Sequence, residues 1–171
     1  GEFTTNRETL TENRLVNNPR TYAGYTYTYN DTMFVQRVHD LLTLTAWING
    51  DEHSPKALHA VGVNGGGELL AAARAIAGDE LQNVAVVTQG FRFAGLARWQ
   101  DSRFVPGAVK YGDLPALLSL AAPHPLWVGD EPQKLSIVTR AYAAADAANA
   151  VTFGTESGNS VADAVSWLLQ L

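Results

Sequence analysis

The stretch Ala57-Leu-His-Ala-Val-Gly-Val63-Asn64-Gly65-Gly66-Gly67-Glu68-Leu-Leu-Ala-Ala-Ala-Arg-Ala-Ile-Ala77 decides the fold. Its opening run, residues 57–63, is short and apolar and is bounded by Pro55 and by glycines, the pattern of a strand buried on both faces of a parallel sheet. Its closing run, Glu68 to Ala77, is rich in helix formers and is halted by Gly78. Only glycines and one asparagine join the two, so the strand passes directly into a crossover helix and its next neighbour is expected to run parallel.

The same alternation continues in both directions. Upstream, Asp31 or Thr32 caps a helix that carries Phe34, Val35, Val38, Leu41, Leu42 and Ile48 at helical spacing and ends at Gly50. Downstream, strands are expected at Val84–Val87, Pro125–Val128 and Ala150–Phe153, with helices over 114–121, 133–148 and 161–169. Residues 88–112 are irregular and aromatic. Tyr22–Tyr29 is β-prone by composition and reads equally well as a strand or as a loop laying aromatics on the core. The expectation is an α/β domain over 22–171, with about four parallel strands in an open three-layer sheet. Residues 1–21 are expected to form a linker-like lead-in whose Gly1-Glu2-Phe3 looks like a cloning remnant.

Composition narrows the function. The chain has 171 residues, 46% apolar and 17% charged, with a formal charge of −5 and no Lys/Arg cluster of the density that a phosphate backbone requires. Nucleic acid is therefore not an expected partner. No apolar run approaches a membrane span, and without cysteine there are no disulfides, thiolate nucleophiles or Cys-type zinc sites. No His-x-x-x-His or clustered carboxylate pattern points to a metal, and no cofactor is expected. The compartment is not legible.

Ligands of such sheets sit at the carboxyl ends of the strands, so four loops carry the functional question. In the first, Gly62-Val-Asn64-Gly65-Gly66 keeps the frame of the nucleophile elbow G-x-S-x-G with asparagine in place of serine. An amide is no substitute for an activated hydroxyl, although Asn accepts the positive φ of such a turn. The glycines also suit a tight turn with close helix packing, and the backbone N–H groups of Gly65, Gly66 and Gly67 at a helix start suit a small anion. The second loop offers Arg92 among aromatics as a ligand or docking group. The third, Gly129-Asp130-Glu131, places Asp130 where an orienting acid belongs; Asp there also suits an ordinary turn before a helix. The fourth, residues 154–160, should hold the general base, yet no histidine occurs there or later; His39, His53, His59 and His124 all lie earlier.

Taken together, Tyr27–Leu44, the Gly62 loop and Phe104-Val-Pro-Gly-Ala-Val-Lys-Tyr-Gly-Asp-Leu-Pro-Ala-Leu117 resemble the acetyl xylan esterase-like α/β-hydrolases of bacteria. More narrowly, they resemble the C-terminal, second hydrolase-like unit of proteins that carry two in tandem. The resemblance implies the C-terminal half of an α/β-hydrolase sheet, beginning at the elbow strand. It also implies that the family serine maps onto Asn64, its acid onto Asp130, and its histidine onto the loop around Ser157 to Asn159. Loss of a triad member costs on the order of 10⁴–10⁶ in turnover. The expected function is thus a non-catalytic module that docks to or scaffolds a catalytic esterase unit. The alternatives are an ester hydrolase acting on acetylated carbohydrate and a binder of small anions at Gly65–Gly67. The outer edge of the 57–63 strand is expected to be covered by a preceding hydrolase domain or a second copy of the chain, rather than by Tyr22–Tyr29.

Overall fold

The computed structural model describes residues 10–13, 22–154 and 159–170. Four parallel strands form one open sheet: β1 (His59–Gly62), β2 (Asn83–Val87), β3 (Leu126–Gly129) and β4 (Val151–Phe153), in the spatial order β1-β2-β3-β4. Ala60 aligns with Val84, Val84 with Leu126, and Leu126 with Val151, so each strand lies beside the one before it in sequence. The parallel α/β architecture is as expected from the alternation of short apolar runs with helices.

The pleat divides the core. Val84 and Val86, with Leu126 and Val128, face four helices: α2 (Met33–Gly50), α3 (Gly67–Ala77), α4 (Asp113–Ser119) and α5 (Ser136–Ala144). Ala85, Val87 and Trp127 face the opposite way and are covered by α6 (Ser160–Leu169) through Ala164, Trp167 and Leu168. Continuous rather than alternating apolar strands follow from burial on both faces.

Local chemistry sets the helix ends. The Thr32 hydroxyl accepts a hydrogen bond from Val35 N at 3.3 Å and caps α2, and Asn159 caps α6 through Ala162 N at 3.3 Å. Gly78 stops α3 at a φ of +53°. Arg74, 1% exposed, curls back over that end to donate to the carbonyls of Gly78, Leu81 and Gln82, stitching α3 to the approach of β2. Burial holds its guanidinium below the usual basicity of arginine.

Two expectations require correction. Tyr22–Tyr29 is neither strand nor loop, because Ala23–Tyr27 forms a short helix, α1. Tyr27 stacks on Phe104 at 5.4 Å, meets Trp99 edge-on at 5.9 Å and donates its hydroxyl to Trp99 O at 2.8 Å. These contacts anchor the segment without a strand partner and override its β-propensity. The helix expected over 133–148 is also shorter, since Asp146 adopts a φ of +54°, which no helix continues.

Part of the lead-in is docked. Asn13, 5% exposed, donates from its backbone N to Gln100 O at 2.7 Å and from its side chain to Gln100 O and Asp101 O, while its Oδ1 accepts from Met33 N at 2.6 Å. Residues 10–13 therefore lie between the start of α2 and the loop after β2. Among the described residues nothing pairs with the outer edge of β1, and no helix is long and apolar enough to cross a membrane.

Candidate functional site

The carboxyl ends of the four parallel strands, and the described residues that follow them, lie at one end of the sheet. The first loop is a tight turn from Val63 to Gly66, closed by Gly66 N donating to Val63 O at 2.8 Å. Both central residues take left-handed φ values, +50° at Asn64 and +86° at Gly65. This matches the turn that favours an Asn-Gly pair, because Asn tolerates that region and Gly has no side chain to oppose it. At the start of α3, a side chain on Gly67 would run into the Val87 carbonyl, so its glycine is required for helix-to-sheet packing. Asn64 itself is exposed at the crest of the turn.

Behind that crest is a group to which the sequence had drawn no attention. Glu68, in the first turn of α3, is 2% exposed, and its Oε1 has no hydrogen-bond partner among the described residues. Burial raises its carboxyl above the ordinary range; its own backbone N–H and the guanidinium groups of Arg103 and Arg37 oppose the rise, and Asp101 adds to it. An acid in the first turn is ordinary helix composition. What marks Glu68 is depth, which sequence does not report.

The second and third loops are tied together. Glu131 is drawn inward, its side chain 2% exposed, and it grips Arg92 with both oxygens, Nη1 to Oε1 at 3.0 Å and Nη2 to Oε2 at 2.6 Å. Thr88 donates to the same carboxylate at 2.7 Å. The pairing raises the pKa of Arg92 still further. Arg92 also donates to Phe91 O at 2.6 Å, so its guanidinium is engaged in holding loops together. Asp113, at a φ of +60°, accepts from Phe93 N at 2.8 Å and Ala94 N at 2.9 Å and fixes the far part of the second loop.

Asp130 follows β3 with a φ of +57°, and its exposed carboxylate accepts a hydrogen bond from Ser160 at the start of α6. This bond ties the turn after β3 to the start of α6. Ser157 lies outside the described residues, while Asn159 is present as the helix cap. The earlier histidines sit elsewhere: His39 on α2, His53 beside Asp51 and Glu52, His59 in β1, and His124 against Asp79 at 3.1 Å. Among the described residues, no group of three or more His, Asp or Glu side chains is placed to hold a metal ion. An apolar cavity of about 340 Å³ opens between α2, α3 and α4, lined by Phe34, Val38, Ile76, Phe93 and Leu117 but by neither Asn64 nor Asp130.

No family model and no curated protein sequence matches the chain. Two solved structures superpose on it. Methylesterase BT1017 does so with a TM-score of 0.52 and 20% identity, over 82% of this chain and 37% of its own. The crystal structure of a candidate acetyl xylan esterase from Bacteroides fragilis does so with a TM-score of 0.52 and 15% identity, over 84% of this chain and 38% of its own. The chain therefore spans well under half the length of either structure. At such identities the likeness establishes a shared fold over the matched part of each structure.

Proposed function

We propose that the chain is a non-catalytic, esterase-like module that docks to or scaffolds a catalytic esterase unit. The observation that carries this reading is the elbow. The residue at its crest is Asn64, held in a left-handed turn suited to Asn-Gly, and it presents an amide rather than a nucleophile. The state of Asp130 agrees with it: its carboxylate is bonded to a serine hydroxyl, and no histidine follows β4 in the sequence. The tandem arrangement belongs to the same proposal, and a catalytic unit with an intact G-x-S-x-G is expected in the same reading frame.

The likeness to a methylesterase and to a candidate acetyl xylan esterase favours a second reading, a carboxylic-ester hydrolase acting on acetylated carbohydrate. One assay separates the two. The purified chain is incubated with p-nitrophenyl acetate and with acetylated xylan, beside Asn64→Ala and Asp130→Asn. Hydrolysis no faster than buffer supports the non-catalytic module. Turnover well above buffer that either substitution abolishes overturns it in favour of the hydrolase.

A further inference from the structure

The dipeptide Asn-Gly occurs twice in the chain, at Asn49-Gly50 and at Asn64-Gly65. In this pair the backbone nitrogen of the glycine reaches the asparagine side-chain carbonyl most easily, because no Cβ shields the approach. The fold places the two copies in opposite settings. Asn49 is in the last turn of α2, where helical geometry directs the following N–H to a carbonyl four residues back. Its side-chain amide is also tied to Glu80 O at 3.2 Å. Asn64 stands exposed on a turn whose closing bond uses Gly66 N–H and leaves that of Gly65 outside it. A Cβ built on Gly65 would meet nothing within 4 Å, so the space beside its α-carbon is open and a cyclic group formed there meets no packed neighbour on that side.

We propose that Asn64 is a site of spontaneous deamidation, whose product places a carboxylate at the crest of the elbow. Hydroxide removes the Gly65 amide proton, and the nitrogen attacks Asn64 Cγ. The new N–C bond closes a cyclic imide as the bond from Cγ to the amide nitrogen breaks. Ammonia departs with a proton from water, which regenerates hydroxide. Water then adds to either imide carbonyl and leaves aspartate or isoaspartate at position 64. The aspartate form keeps the main-chain length and tolerates the left-handed φ. Its charge lies at the amino end of α3, where the helix dipole favours an anion. The formal charge of −5 becomes one unit more negative. The isoaspartate form lengthens the main chain by one carbon and breaks the Val63–Gly66 closure. None of this depends on whether the chain hydrolyses esters.

The experiment ages the native chain at mildly alkaline pH and follows tryptic peptides 38–56 and 57–74, each of which holds a single asparagine. Peptide 57–74 is expected to gain the mass of an amide-to-acid conversion and to split into two chromatographic species. Its rate is expected to exceed that of 38–56 by about tenfold or more, equivalent to about 1.4 kcal/mol of local opening at the end of α2. In urea the two rates are expected to converge, and Asn64→Gln to leave peptide 57–74 unaltered. A native peptide 57–74 that stays amidated while the unfolded chain converts overturns the proposal. So do equal native rates, or a difference that persists after unfolding.

Discussion

The Glu131 carboxylate holds the Arg92 guanidinium by two parallel hydrogen bonds, at 3.0 and 2.6 Å, across two loops that are 39 residues apart in sequence. A bidentate pair with one member almost fully buried is worth far more than a surface ion pair. Glu131→Ala is expected to cost about 2–4 kcal/mol, because it removes the carboxylate partner of a guanidinium that is only 28% exposed and leaves it, among the described residues, the Phe91 carbonyl alone, while the Thr88 hydroxyl falls back on the carbonyls of Gly129 and Asp130. A double-mutant cycle with Arg92→Ala, read by urea unfolding, is expected to give a coupling above about 1 kcal/mol. Coupling near zero would mean that the loops are held by other contacts.

Glu68 predicts a pH dependence. Its folded-state pKa is raised, chiefly by burial, above the ordinary 4.5. The folded state therefore binds its proton more tightly than the unfolded state does. Its contribution is fully present below that ordinary value and is lost as pH rises through the folded one. Glu68→Gln is expected to raise the melting temperature at neutral pH, and the gain is expected to vanish as the buffer is taken below pH 4.5. A gain that is constant with pH would assign the effect to packing.

Arg74 closes the carboxyl end of α3 from inside the core, where it reaches three backbone carbonyls. Arg74→Met keeps much of the volume and removes the guanidinium from all three carbonyls, of which Gly78 O keeps the Leu81 amide at 3.4 Å, at about 1–3 kcal/mol for each that is left without a donor and that water does not reach. A loss of at least about 2 kcal/mol is expected in chemical unfolding. Arg74→Lys is expected to recover only part of it, since an ammonium cannot span the same carbonyls. Stability unchanged in Arg74→Met would show that those carbonyls find solvent.

At the crest of the turn, Asn64→Ser supplies a hydroxyl with no histidine placed beside it to activate it. No turnover of p-nitrophenyl acetate above buffer is expected, together with a loss of about 1 kcal/mol as serine takes the left-handed turn. Rapid hydrolysis by that variant would reveal a general base outside the histidines placed here.

The parallel sheet was legible because each strand is a short apolar run followed by turn residues and a helix former, as at Val84–Val87 and Pro125–Val128. The elbow was legible for the same reason, its Asn-Gly-Gly-Gly turn being local. Tyr22–Tyr29 was not, since its helical state depends on Trp99 and Phe104, more than 70 residues away. The inward turn of Glu131 and the burial of Glu68 escaped for a related reason: a carboxylate looks solvated in sequence until the fold brings an arginine to it or closes over it. Asp113 shows the same limit, its acceptors being filled by amides about 20 residues earlier.

The spatial order of the strands repeats their order in the chain. During synthesis each strand can therefore dock on the free edge left by its predecessor, and none has to insert between two that are already paired. Sheet growth of this kind is an accretion in which each step closes only the connection to the preceding strand, the most local pairing that a parallel architecture allows. The bond from Asn13 to Gln100 and Asp101 spans almost ninety residues and must wait for the second loop. The emerging chain would thus lay down β1 and β2 first and fasten its leading segment only after the ribosome has passed residue 101.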